Sequence, residues 1–227
     1  LRAGEIVGLA GLVGSGRSEV AQVIFGIWPA ESGQVLLDGK PVHIKSPEQA
    51  MKLGIAYVPE DRGTQGLIRK MRVRENISLA VLRQLSAYGF ISPRKELNLA
   101  SDSIQQFNIR AYSPEQIANK LSGGNQQKVV VSKWLASRPR VLIMDEPTRG
   151  IDVGAKAEIH RLMSELAQRG LAILMISSEL PEIVGMSDRV LVMRGGRIVA
   201  EYQREEATQE QIVAAMMSET FVTVNGS

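Results

Sequence analysis

Residues Glu5 to Phe25 read EIVGLAGLVGSGRSEVAQVIF. The first part, Glu5 to Ala10, is a short apolar run of strand length, and from Glu19 to Phe25 the apolar residues recur at helical spacing. Between them Gly11-Leu12-Val13-Gly14-Ser15-Gly16-Arg17-Ser18 forms a glycine-rich turn. Strand, glycine loop and helix in that order let backbone N–H groups turn inward on a phosphate. The helix start adds positive potential, and a Ser hydroxyl is available to Mg²⁺. Arg17 stands where such a loop ordinarily carries Lys; it keeps the charge but presents a larger planar group. Taken alone, the string also fits a glycine-rich strand-to-helix turn without a ligand.

Strand texture recurs outward from this unit at Ile55 to Val58, Val141 to Met144, Leu171 to Ile176 and Arg189 to Met193. An amphipathic helix with Ala155, Ile159, Leu162, Met163 and Leu166 on its apolar face separates two of these runs. The alternation predicts an α/β fold, a largely parallel sheet with helices on both faces. Gln34 to Leu37, the turn Asp38-Gly39 and Val42 to Lys45 read as a hairpin. Ser46-Pro47-Glu48-Gln49 and Thr208 to Gln211 carry helix-start signals, and the latter opens a last helix through Met217. From Arg62 to Lys120 the compact strands disappear, and Val73 to Leu85 and Arg94 to Phe107 are helical in pattern. The expected organisation is therefore a single domain, 1–227, with a core at about 1–61 and 121–227 and an inserted helical subdomain at about 62–120.

The 227 residues carry 27 Lys plus Arg against 24 Asp plus Glu, two His and no Cys. Without Cys there is no disulfide scaffold, thiolate zinc site or cysteine nucleophile. A net charge of +3 and 4% aromatic residues disfavour a nucleic-acid partner. No uncharged run reaches the roughly 18 residues of a membrane span, and the amino terminus has no signal-peptide pattern. His43 and His160 have no companion at ligand or triad spacing.

Two further stretches carry chemistry. Val141 to Glu146 ends an apolar strand in adjacent carboxylates: Asp145 is placed to hold Mg²⁺ through water and Glu146 to polarise an attacking water. Acids also simply mark where a strand reaches solvent. Leu121-Ser-Gly-Gly-Asn-Gln-Gln-Lys128 puts Ser122, Gly123 and Gly124 just before a helix, a second anion site at a helix start. In this order and spacing the three stretches resemble the ATP-binding-cassette (ABC) ATPases, whose signature is LSGGQ. DEPTRGID, Asp145 to Asp152, extends the match over nearly the whole chain.

The resemblance implies a P-loop NTPase, RecA-like core of the ABC ATPase type, with ATP and Mg²⁺ as cofactors. It places Gly11, Leu12, Val13, Gly14, Ser15, Gly16, Arg17, Ser18 and Glu19 at one nucleotide, with Ser18 and Asp145 toward the metal. Glu146, Glu60 and Ser178 take the catalytic positions, and Ser122, Gly123, Gly124, Asn125, Gln126 and Asp152 contact nucleotide as well. Family members usually have Gln where Glu60 stands and His where Ser178 stands, so with Arg17 three contacting positions depart from the pattern while the signature is intact. That combination is similar to the second, carboxy-terminal cassette of tandem monosaccharide importers of the ribose, galactose, xylose and arabinose type. It implies a degenerate own pocket and a signature that completes a partner cassette's ATP site. The partner is an N-terminal cassette of the same polypeptide or a second copy. Further partners are transmembrane permease subunits and, indirectly, a periplasmic or extracellular sugar-binding protein; the location is the cytoplasmic face of the bacterial inner membrane, peripheral. The family also places a first strand and an adenine-stacking aromatic upstream of the phosphate loop, so the chain is expected to be amino-terminally truncated. A regulatory cassette with little hydrolysis, or a soluble non-transport ABC ATPase, are the alternatives.

Overall fold

The computed structural model describes residues 1–218. In chain order the elements are β1 (Ile6–Gly11), α1 (Arg17–Ile24), β2 (Val35–Leu37), β3 (Lys40–Val42), α2 (Pro47–Lys52), β4 (Ile55–Val58), α3 (Val73–Ser78), α4 (Leu82–Leu85), β5 (Ser86–Ala87), β6 (Phe90–Ile91), α5 (Pro93–Gln106), α6 (Gly123–Leu135), β7 (Val141–Asp145), α7 (Val153–Gln168), β8 (Ala172–Ile176), α8 (Leu180–Met186), β9 (Arg189–Arg194), β10 (Arg197–Gln203) and α9 (Gln209–Met217). They form two compact units. One holds 1–57, 140–146 and the described residues from 164 onward; the other holds 58–139 and 147–163.

The first unit is built on a six-stranded sheet of order β10-β9-β1-β8-β7-β4. Strand β1 runs parallel to β8 and β9, and β7 parallel to β8, with Leu9 opposite Ile176 and Ile176 opposite Asp145. Every residue of β1 and β8 is buried, which is why these strands read as unbroken apolar runs. Parallel register brings the carboxyl ends of β1, β7 and β8 side by side, where an open α/β sheet holds its ligands. Beyond β9 the chain turns at Gly195-Gly196 and β10 returns antiparallel as an edge strand, with a register shift between Ile198 and Ala200.

Local signals account for the smaller elements of this unit. Asp38 and Gly39 have φ of 52° and 73°, the left-handed pair that a two-residue hairpin turn demands, and they join β2 to β3 with Leu37 opposite Lys40. The second strand therefore lies earlier than the expected Val42 to Lys45. Ser46 caps α2 by accepting the Gln49 N–H at 3.4 Å, and the Gln49 side chain accepts the Lys45 N–H at 2.8 Å. Thr208 and Gln211 form a reciprocal capping box at α9.

In the second unit α3 packs on α5 and α6, around Val73, Ile77, Ala100, Val129 and Val130, all fully buried. Buried Glu96 accepts the Ser78 hydroxyl at 2.7 Å and pairs with Arg74, and Arg74 also meets Glu115 at 2.6 Å. Arg72 pairs with Glu115 at 3.1 Å, so two arginines of the basic stretch Arg69 to Arg74 are held in ion pairs. The helix expected from Val73 to Leu85 is interrupted by a 3₁₀ turn at 79–81, where Val81 leaves helical geometry at φ −128°, ψ 17°. A two-rung hairpin with a Tyr88-Gly89 turn follows it. This unit also takes in α6, which packs on α3 and on the wide turn at 62–66.

Candidate functional site

Residues expected to contact nucleotide fall into two sets, one in each unit. In the first unit β1 ends at Gly11, where an added Cβ would lie 2.4 Å from the Met193 carbonyl oxygen, so only glycine fits. The loop returns through Gly14 and Gly16 at φ 80° and 100°, and α1 starts at Arg17 with no side chain capping its first amides. Those free N–H groups form an anion-receiving helix start. Glu19 lies exposed in the first turn, and Leu12 and Val13 at the loop tip are exposed.

The carboxylates stand at the neighbouring strand ends. Asp145 is 1% exposed; its Oδ2 accepts the Tyr57 hydroxyl at 3.0 Å, and the Ser18 side chain stands beside it. Burial pushes the Asp145 carboxyl up from its ordinary value, against the lowering effect of Ser18, Tyr57 and Arg17. Its Oδ1 is buried without a hydrogen-bond partner, as is the Ser15 hydroxyl. An orphaned carboxylate oxygen beside Ser18 fits a hard divalent cation with oxygen ligands. Glu146 follows at φ 46°, an uncommon conformation for a non-glycine residue, with its N–H on the Ile176 carbonyl at 2.8 Å. Ser178 Oγ donates to Glu146 Oε2 at 3.1 Å, and burial raises the Glu146 carboxyl as well.

Arg17 is held at the ends of β7 and β8. Its buried guanidinium donates to the Ser177 carbonyl at 2.6 Å and lies 3.8 Å from Glu146 Oε1. Gly11 through Ser18, Asp145, Glu146 and Ser178 are thus gathered around one strand-end group.

The second unit carries the other set. Ser122 begins α6 without bonding its amides; its hydroxyl accepts from Asn125 Nδ2 at 2.8 Å, and Asn125 Oδ1 accepts the Arg110 N–H at 2.7 Å. Gly124 is required by packing, since a Cβ there would lie 2.5 Å from Ala155 Cβ. Gln126 turns inward: its amide donates to the Leu121 carbonyl at 3.0 Å and, more weakly, to that of Ala118 at 3.4 Å. Asp152 caps α7, accepting the Ala155 N–H at 3.0 Å. Glu60 pairs with Arg149. Among these residues Ser122 and Gly123 present a hydroxyl and a helix-start amide, whereas Gln126 and Asp152 have structural partners.

Sequence reasoning missed Tyr57, Ser177 and Arg62. A signal existed for Tyr57: a phenol inside a fully buried strand needs a hydrogen-bond partner.

The model of the ABC transporter family matches residues 1–149. The ribose import ATP-binding protein RbsA of Geobacillus kaustophilus is 53% identical over 215 residues, 95% of this chain and 44% of that protein. The ribose import ATP-binding protein RbsA 2 of Escherichia coli O157:H7 is 53% identical over 213 residues, 94% of this chain and 42% of that protein. Among solved structures MJ1267, an ATP-binding cassette of an ABC transporter, shares the fold at a TM-score of 0.82 and 24% identity, over 96% of this chain and 90% of that one. The chain spans less than half the length of the curated relatives it matches. Strand-end phosphate loop, paired carboxylates, family match and relatives agree: this chain belongs to the ABC transporter family and has the fold of its ATP-binding cassettes.

Proposed function

We propose that the chain is the carboxy-terminal ATP-binding cassette of a tandem monosaccharide importer, acting peripherally at the cytoplasmic face of the membrane. There it couples ATP binding and hydrolysis to uptake of a sugar such as ribose. The relatives named for ribose import support the substrate class. Its partners are then a second cassette and permease subunits, supplied from outside by a sugar-binding protein.

The uncapped start of α1 and the inward amides of the Gly11 to Ser18 loop receive the phosphates of ATP. Ser18 and Asp145 would hold Mg²⁺, which supplies charge neutralisation on the phosphate oxygens. Glu146 is the group placed to orient or deprotonate an attacking water. The observation that carries the reading of a weakened own pocket is the Arg17 guanidinium held between the Ser177 carbonyl and Glu146. A cation there counters the negative charge a base needs and is engaged by protein groups. Ser178 donates to the same carboxylate, and with Arg17 it opposes the rise that burial gives that group. This favours a cassette that binds nucleotide and turns it over slowly, with Ser122 and Gly123 completing the ATP site of its partner.

The test is ATP turnover and sugar uptake by the full-length protein with its permease. Ser122→Arg and Gly123→Asp are expected to lower coupled turnover by on the order of 10²-fold or more, as loss of oriented donors does. Glu146→Gln is expected to lower it much less. Equal inactivation by all three variants would assign hydrolysis to this chain's own pocket and refute the reading.

A further inference from the structure

We propose that Arg62 is a positioning residue that holds three stretches of the second unit in one geometry: the turn 61–66, the start of α6 and the loop 147–152. The inference rests on the functional reading above only for what that geometry transmits.

Arg62 donates to two consecutive carbonyls, Arg149 O at 2.6 Å and Gly150 O at 2.9 Å. The same guanidinium lies against Gly123, where a Cβ would stand 2.9 Å from Nη2. The root of the side chain is fixed as firmly as its tip. Asp61 accepts the Gly63 and Thr64 N–H groups at 2.8 and 3.2 Å and the Thr64 hydroxyl at 2.7 Å. The turn closes with Gly66 and Leu67 donating back to the Asp61 and Arg62 carbonyls, and Lys133 Nζ donates to the Gly66 carbonyl at 2.6 Å. A planar fork held at its root suits two adjacent carbonyls; an ammonium on a flexible stem can satisfy one at a time. A movement of the turn therefore carries the Arg149–Gly150 peptide and the Gly123 backbone with it. In the proposed importer Gly123 faces the partner's nucleotide, so a movement of the turn reaches that site through Arg62.

A cavity of about 320 Å³, lined by Arg62 with Glu60, Asp61, Gly63, Arg69, Arg149 and Gly150, flanks the guanidinium. Truncating Arg62 opens this space to a free guanidinium ion, which makes chemical rescue the test. Arg62→Ala and Arg62→Lys are prepared in the full-length protein with its permease. Amide exchange over 147–152 is followed without nucleotide, and permease-stimulated ATP turnover is measured with and without millimolar guanidinium. Arg62→Ala is expected to speed exchange over 147–152 about tenfold, equivalent to about 1.4 kcal/mol. It should lower stimulated kcat by a similar factor with KM for ATP unchanged, and guanidinium should reverse both effects. Arg62→Lys should exchange at an intermediate rate, and it carries the test if the alanine variant does not fold. Unchanged exchange in either variant, failure of guanidinium to slow it, or a raised KM with kcat kept would overturn the proposal. If the native protein shows no permease-stimulated turnover, the importer reading fails, while the exchange measurement still decides whether Arg62 positions the loop.

Discussion

The Tyr57 hydroxyl donates to Asp145 Oδ2 at 3.0 Å, across 88 residues of sequence, and leaves Oδ1 of the same buried carboxylate without a partner. Phenol and carboxylate are fixed together at the ends of β4 and β7, neighbours in the sheet, and the Tyr57 ring packs at 5.6 Å from Phe25. The phenol thus selects which oxygen is free to face a cation. Tyr57→Phe removes one hydrogen bond worth about 1 kcal/mol. Metal-dependent nucleotide binding should weaken by about five- to tenfold, while binding without metal stays as it was. Titration of a fluorescent nucleotide with and without Mg²⁺ checks this; equal loss in both arms would show that Tyr57 acts only on the fold.

Asp145 also sets a stability relation. Burial raises its carboxyl pKa above the ordinary aspartate value, so just above that value the folded chain binds more protons than the unfolded one. Stability contributed by this group therefore falls as pH rises through that window, and at neutral pH the buried charge is a net cost. Asp145→Asn removes the charge and keeps an acceptor for Tyr57. The ligand-free variant is expected to unfold at a higher urea concentration than the native chain at neutral pH, while losing metal-dependent nucleotide binding. A lower midpoint would mean that the carboxylate stabilises the empty site.

The apolar strands of the six-stranded sheet were the most legible part of the fold. β1, β4, β7, β8 and β9 are runs with apolar residues on both faces, and the capping residues Ser46 and Thr208 act within four residues of themselves. β10 was not anticipated because Arg197 to Gln203 is an edge strand, half exposed, whose alternation is weak beside the apolar runs. The break in Val73 to Leu85 was hidden too, since no Gly or Pro marks Val81. The strand-end carboxylates and the glycine loop were legible from their adjacency to strands. Arg62 could not, and Tyr57 announced only that it needs a partner, because those partners lie 87 or 88 residues away. The orientation of Arg17 toward Ser177 is likewise a product of parallel register, which no spacing in the chain encodes.

Gly123 and Gly124 are adjacent in sequence but are required for different reasons. A Cβ on Gly124 would meet Ala155 Cβ at 2.5 Å, a contact between α6 and α7 that neither helix can relieve without moving. Overpacking of this kind costs about 1–3 kcal/mol. Gly124→Ala is therefore expected to destabilise the chain by that amount. The double variant Gly124→Ala with Ala155→Gly should recover most of the loss. Urea unfolding of the two proteins checks the pairing; no recovery in the double variant would place the strain elsewhere.

Lys133 supplies a pH signature that belongs to the second unit. The residue is 7% exposed, and its ammonium donates to the Gly66 carbonyl at 2.6 Å and lies 4.8 Å from the centroid of the Trp134 ring. Burial pushes its pKa down to about 8, from the ordinary 10.5. Below the lower value both the folded and the unfolded chain carry the proton, and the cost of burying the charge is present in full. Between the two values the unfolded chain keeps the proton and the folded one releases it. The unfolded state then binds more protons, and stability rises with pH. Above the higher value neither state is charged and the cost is gone. Neutral Lys133 still carries an N–H for the Gly66 carbonyl, so the turn at 62–66 remains tied throughout. Lys133→Met retains the alkyl stem and removes both charge and donor. All other ionisable groups are common to both proteins, so the informative quantity is the difference between native and variant. That difference should widen in favour of the native chain as pH is raised from about 7 to about 10. Urea midpoints measured across the series test it, and parallel curves for the two proteins would show that Lys133 is not the group whose proton is released.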